Sequence, residues 1–133
     1  MLNPIFLQSR KFSDIDISFE ANPTSGDILQ KTGVNSVVQS IMNLVQTNHY
    51  ERKFHPEIGG NVRKLLFELA DSTTASLLAA EINDVIANFE PRATNVNVFV
   101  NADGLNGFNV TIETSIQNLA NPIKVAFFLA RLR

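Results

Sequence analysis

Ala75–Arg92 reads ASLLAAEINDVIANFEPR, and its spacing decides how the rest of the chain is arranged. Leu78, Ile82, Val85 and Phe89 recur at helical intervals and fall on one face, with Ile86 and Leu77 widening the stripe. Pro91 has no N–H and clashes with a preceding helical turn, so the helix must end at or just before it. A core helix therefore delivers Glu90 and Arg92, on either side of a proline, to an abrupt corner. Phe89 anchors that corner, and a new pattern begins directly after Ala93-Thr94.

The composition bounds the class. A chain of 133 residues with 44% apolar side chains can bury a core without staples. Its net charge of -2 offers no overall electrostatic footprint for nucleic acid. It has no cysteine, which excludes a disulfide framework and a thiolate metal site and fits a reducing compartment or a virion assembled there. No stretch reaches the about 20 apolar residues of a membrane span. Ile5-Phe6-Leu7 is too short for a signal-peptide core, and Arg10-Lys11 follow it instead of preceding it.

Working outward from the corner, residues 1–12 read as an N-terminal arm and residues 13–133 as one domain. Asp14–Glu20 alternates, with Ile15, Ile17 and Phe19 against Asp14, Asp16, Ser18 and Glu20, so a half-buried strand is expected there. Asn22–Gly26 is a turn cluster. A first helix is expected to start between Thr32 and Ser36, with Val34, Val37, Val38, Ile41, Met42 and Val45 keeping a helical period and Ser36 and Gln39 as a capping box. His49–Gly60 is a non-periodic connection. Asn61 is the expected cap of a second helix with Val62, Leu65, Leu66 and Leu69 inside, and Asp71 falls at the start of the long helix.

After Arg92 the period changes to two. Val96, Val98 and Val100 form one strand face, Asp103–Gly107 a hairpin loop, and Phe108, Val110, Ile112, Thr114 and Ile116 the next strand face. Lys124–Leu129 is apolar on both faces and reads as a third strand, covered on both sides or completed by a partner; a terminal helix competes with it. The order strand, helices, strands implies an α+β fold with about three helices packed on a mainly antiparallel sheet.

Chemistry-bearing motifs are few. His49 and His55 share one segment without further ligands at matched spacing, so surface histidines account for them better than a metal site. No GxSxG, P-loop or GxGxxG is present, and the glycines at 104 and 107 are hairpin chemistry. Glu57, Glu68 and Glu90 are the carboxylates from which a glycosidase pair could be drawn. A retaining pair needs its carboxyl groups about 5–5.5 Å apart and an open sugar cleft. The chain has no Trp and one Tyr, Tyr50, for stacking sugars. Glu90 has a nearer explanation, as the partner of Arg92 or of a cation on another chain, because Arg pairs bidentately with carboxylates and is enriched at interfaces.

Three ordered motifs, Arg52-x-Phe54-x-Pro56-Glu57-x-Gly59, Leu66-Phe67-Glu68 and Glu90-Pro91-Arg92, resemble the gene-25-like baseplate wedge family of contractile-tailed phages, represented also in type VI secretion baseplates. The likeness runs from about Asp14 to the last strand. It implies a fold similar to the polymerising domain of tail sheath proteins, and a non-enzymatic structural subunit of the wedge. Such a subunit would dock on a helical core bundle of other wedge proteins and template the first sheath ring. Carried over, Glu90, Pro91 and Arg92 would be the docking corner, and Arg52, Phe54, Pro56 and Gly59 the loop beside it. Some members carry a lysozyme label, so a muralytic glycosidase is the alternative; a generic interaction module without a tail role is a third reading.

The expectations are then a virion protein of the tail baseplate, assembled in the host cytoplasm. Its expected partners are wedge subunits and the sheath protein, with no cofactor, metal, nucleic acid, membrane or small-molecule substrate. Lys124, Val125, Phe127 and Phe128 are the residues expected at a sheet edge to which a sheath arm could add a strand. The apolar stretches 1–12 and 125–132 depart from the family pattern.

Overall fold

The computed structural model describes residues 12–104 and 106–132. The arm expected over residues 1–12 lies, but for Phe12, outside the described residues. The chain divides after Ser36 into two compact units.

In the first unit, β1 (Ser13–Ile15) pairs antiparallel with β2 (Gln30–Thr32), Ser13 opposite Thr32. The strand expected over Asp14–Glu20 stops at Ile15. The Asp16 carboxylate accepts the Ser18 N–H at 3.0 Å and the Asp16 carbonyl accepts the Phe19 N–H at 3.1 Å, which turns the chain. Phe19 takes a positive φ of 53° and, with Ile17, is exposed. Alternation had suggested one strand, but a short Asx-type turn satisfies the same backbone locally. The turn over Asn22–Gly26 forms as expected: the Asn22 side chain accepts the N–H of Thr24 at 2.9 Å, and Gly26 adopts φ 72°. β2 has no period of its own at three residues and was not expected.

Helix α1 (Val34–Gln46) spans the division between the units. Ser36 lies inside it and its hydroxyl donates to the Gly33 carbonyl at 2.7 Å, so it is not the N-cap of the expected capping box. In the second unit α1 contributes Val37, Ile41, Leu44 and Val45 to the core. The expected second helix is a single turn, α2 (Val62–Leu65), and Asn61 makes no side-chain cap bond. Val62 and Leu66 are buried but Leu69 is exposed, because the chain leaves the helical path before reaching it.

Helix α3 (Ser72–Phe89) matches the opening stretch. Asp71 caps it, its carboxylate accepting the Thr74 N–H at 2.7 Å. Leu78, Ile82, Val85 and Ile86 are buried. Leu77 is exposed instead of widening the stripe, since it sits about 100° around the helix from Leu78. α3 packs against β3 (Ala93–Asp103), the first strand of a three-stranded antiparallel sheet ordered β3, β4 (Gly107–Ile116), β5 (Ile123–Ala130). β4 buries Phe108, Val110, Ile112, Thr114 and Ile116 on one face, as its alternation requires. β5 is a strand and not a terminal helix. Its inner residues Ile123, Val125, Phe127 and Leu129 are half-buried, while Lys124, Ala126, Phe128 and Ala130 are exposed. Among the described residues it is therefore covered on one face only. The described residues form the expected α+β architecture, with three helices and antiparallel sheets.

Candidate functional site

The corner at the end of α3 is built by its own residues. Pro91 disfavours helical dihedrals at the preceding residue, and Glu90 takes φ -123°, ψ 80°. The Glu90 N–H still closes the last helical bond to Ile86 O at 2.9 Å, and the Ala93 N–H donates back to Glu90 O at 3.1 Å. The turn from helix to strand is thus complete within four residues. This brings the Arg92 side chain over the Glu90 carboxylate, Nε to Oε1 at 2.6 Å and Nη2 to Oε2 at 2.7 Å. The Glu90 side chain is 2% exposed and that of Arg92 21%. Pro91 between them is exposed.

Two further elements hold the corner. Ser40 of α1 hydrogen-bonds the Glu90 carboxylate. The end of β4 returns to it, with Gln117 N–H donating to Arg92 O at 3.1 Å and Gln117 Nε2 to Pro91 O at 3.4 Å. Burial pushes the Glu90 carboxyl up, but the hydrogen bonds from Arg92 and Ser40 and the Arg92 charge outweigh it and leave it below the ordinary glutamate value. Of the two partners foreseen for Glu90, Arg92 is the one it meets in this chain.

The loop 49–60 is pinned at its base and open at its tip. Gly60 N–H donates to Thr47 O at 3.0 Å, His49 N–H to Gly60 O at 3.2 Å, and Tyr50 N–H to Pro56 O at 2.9 Å. Gly59 is buried with φ 113°, and a Cβ there would lie 2.5 Å from Thr47 O. A Cβ on Gly60 would meet Val85 Cγ2 at 2.6 Å, so the loop base lies directly against α3. Glu81 of α3 accepts the Asn61 N–H at 2.7 Å and fixes the same junction. Arg52, Phe54 and Pro56 are exposed at the tip, Phe54 by 88%.

Gly59 and Phe89, the residue before the corner, line one open groove of about 270 Å³ with His49, Asn61, Glu81, Asp84, Val85 and Asn88. This is where loop base and helix end meet. Lys124, Val125, Phe127 and Phe128 lie elsewhere, on the edge strand β5, where Lys124 pairs with Glu113 of β4 at 3.1 Å. Sequence reasoning missed Ser40, Glu81 and Gln117. Each is a polar residue whose role depends on a tertiary contact, and the only local sign was a serine beside the apolar stripe of α1.

The three carboxylates of the glycosidase alternative have separate environments. Glu90 is buried and committed to Arg92. Glu57 is exposed and sits 3.1 Å from His55 Nδ1, and Glu68 is exposed in the turn after α2. The Glu57 carboxyl is lowered by hydrogen bonds from its own backbone N–H and from His55. A glycosidase acid needs a raised value, and neither Glu90 nor Glu57 has one. Among the described residues no three His, Asp or Glu side chains gather as a metal site.

Comparison with known proteins adds the family. The model of the baseplate wedge protein gp25 family matches residues 31–120, which include α1, the loop, α3 and the corner. The baseplate wedge protein gp25 of Enterobacteria phage T4 is 28% identical over 92 residues, 69% of each chain. Among solved structures, a chain of the anti-feeding prophage baseplate aligns with TM-score 0.66 at 20% identity, covering 84% of this chain and 90% of that one. A chain of the type VI secretion baseplate complex aligns with TM-score 0.54 at 18% identity, covering 71% and 91%. A Geobacter sulfurreducens protein described as a candidate tail lysozyme aligns with TM-score 0.66 at 18% identity, covering 73% and 89%. These structural likenesses concern the fold; the family match, spanning the loop, the long helix and the corner it ends in, shows that the chain belongs to the baseplate wedge protein gp25 family.

Proposed function

We propose that this chain is a non-enzymatic structural subunit of a contractile-tail baseplate wedge, and that it docks on the helical core bundle of other wedge proteins through the Glu90-Pro91-Arg92 corner and the neighbouring loop. The observation that carries this reading is the corner itself. An exposed proline is held between a buried carboxylate and its arginine, and tied to α1, α3 and β4 at once. Such a corner keeps its shape when a partner arrives, so little ordering is required on association. Arg52, Phe54 and Pro56 extend the surface from a loop whose base is fixed by Gly59.

Templating of the first sheath ring belongs to the same proposal. The sheet has two edges, and they differ. β3 carries a bulge between Thr94 and Asn97, with Asn95 at φ 51°, which interrupts its regularity. β5 runs in unbroken register with β4 from Ile123 to Ala130, so the stretch with Lys124, Val125, Phe127 and Phe128 is the edge suited to an added strand. A likeness to the sheath polymerising domain, assembly in the host cytoplasm and residence in the tail baseplate follow from this reading.

The test is co-expression with the other wedge proteins of the same tail, followed by a cell-wall clearing assay on the purified chain. Retention in a wedge complex without clearing supports the reading. Clearing activity that is lost on substituting Glu57 or Glu68 would replace it with the muralytic alternative.

A further inference from the structure

The far end of the edge strand β5 is closed by the turn that Leu66-Phe67-Glu68 forms. Arg131 N–H donates to Asn106 O at 3.0 Å, on the β4 side, and Leu132 N–H donates to Leu66 O at 2.9 Å, on the other side. Arg131 Nε donates to Glu68 O at 2.9 Å and fixes the same contact. Val45, Val62, Leu66 and Leu132 line one groove, so the tail after β5 lies beside both α1 and α2.

In an antiparallel pair, successive residues direct their N–H and C=O alternately toward and away from the partner strand. The register from Ile123 to Ala130 is unbroken, so the alternation set by Arg131 holds along all of β5. Ile123, Val125, Phe127 and Leu129 therefore direct their backbone groups to β4. Lys124, Ala126, Phe128 and Ala130 direct theirs to the open edge, where no further strand lies among the described residues. Leu132 is the next residue in that outward series, and its N–H is already taken by Leu66. The edge is open over Lys124–Ala130 and shut directly after it.

Side chains set the chemistry of what fits. Ile123, Val125, Phe127 and Leu129 are half-buried on the face shared with Val110 and Ile112. A strand added to β5 places alternate side chains on that same face, beside these residues. Lys124 is balanced by Glu113 at 3.1 Å, so the edge makes no demand for charge.

We infer that the turn at Leu66-Phe67-Glu68 is an end stop for strand addition: an incoming extended segment bonds Lys124, Ala126, Phe128 and Ala130, ends at Ala130, and carries apolar side chains at the alternate positions beside Val125, Phe127 and Leu129. The inference rests on the strand-addition reading and adds its register, its limit and the chemistry of the segment. A strand slipped further along would have to break the Leu132–Leu66 bond, so the turn fixes where the partner segment ends.

The test takes the wedge complex containing this chain, with and without the sheath protein of the same tail, and reads amide exchange residue by residue. The amides of Ala126, Phe128 and Ala130 are expected to slow on binding. Those of Leu132, Phe67 and Glu68, which bond Leu66 O, Lys64 O and Leu65 O, are expected to keep their rates. Ala126→Pro is the companion variant. The Ala126 N–H faces the edge, where proline is accepted without loss of a ladder bond. The variant should fold like wild type and bind the sheath protein about tenfold more weakly or worse, having lost a donor and placed its ring in the path of the segment. If Ala126→Pro unfolds, the wild-type exchange pattern decides alone. Sheath binding that leaves the three edge amides unchanged, or that Ala126→Pro reproduces, would overturn the inference and leave a sheath contact standing elsewhere on the chain. Faster exchange at Phe67 and Glu68 on binding means that the turn is displaced, which contradicts the end stop. Absence of sheath binding by wild type removes the sheath reading and the inference together.

Discussion

Arg92 grips the carboxylate of Glu90 in a two-pronged ion pair across a single proline, with Nε–Oε1 2.6 Å and Nη2–Oε2 2.7 Å, while the Glu90 side chain is almost fully buried. The two residues expected at a docking corner are first of all paired with each other. The guanidinium neutralises a charge that the helix end would otherwise bury alone. The corner is thus an internal brace as well as a candidate docking surface.

Arg92→Ala leaves the Glu90 carboxylate buried without its counter-charge. Breaking one partner of a buried pair costs about 3–5 kcal/mol. Urea unfolding of the isolated chain is expected to show a loss of that order, with Arg92→Lys intermediate because an ammonium cannot reproduce the fork. An unchanged midpoint would mean that the pair contributes nothing to the fold.

Acid should weaken the same brace. The folded-state Glu90 carboxyl lies below its ordinary value of 4.5. A depressed folded value contributes stability above the unfolded value, and that contribution is lost as the pH falls through the folded one. The stability difference between wild type and Glu90→Gln is therefore expected to favour wild type near neutrality and to shrink once the pH drops below 4.5. Asp16, Glu57 and Asp71 are lowered too, so both proteins should lose stability in acid; the narrowing gap is the part owed to Glu90.

Gly59→Ala introduces a Cβ at φ 113° against the Thr47 carbonyl. Backbone cannot swing aside as a flexible side chain can, so the loop base must shift. A cost of about 1–3 kcal/mol is expected. Amide exchange should accelerate at Gly60, whose N–H bonds Thr47 O, while the centre of β4 stays protected.

Thr114→Val should register at the bulge that follows the corner. The Thr114 hydroxyl is buried and donates to Thr94 O at 2.8 Å, across the strands and just before the register shift. Removing the donor leaves that carbonyl without this bond, at a cost of about 1–3 kcal/mol if water does not replace it. Thermal unfolding checks the size, and backbone chemical shifts at Thr94–Asn97 check the place.

The long elements were legible because their hydrophobic periods are unambiguous. The buried face of α3 and the alternation of β4 were both read from the sequence, and Pro91 marked the helix end. Asp14–Glu20 misled because three apolar residues at alternate positions do not report that Asp16 closes a turn between them. Leu69 was placed inside a helix whose hydrophobic spacing continues beyond its single real turn. The Glu90–Arg92 pairing was one of two readings the residues allowed. Ser40, Glu81 and Gln117 could not be assigned, because their partners are 20 residues or more away along the chain for Glu81 and Gln117, as Asn61 and Pro91 show. For Ser40 the partner is Glu90, at the end of another helix.

The most direct test of the docking corner blocks it while both members of the ion pair stay in the chain. Pro91 is exposed between Glu90 and Arg92, so Pro91→Trp adds bulk to the surface while both partners remain. The chain and this variant would be co-expressed with the other wedge proteins and purified through one of them. Retention of wild type and loss of a Pro91→Trp chain that unfolds at the wild-type midpoint is the expected result. Equal retention of both would contradict the corner as the docking surface.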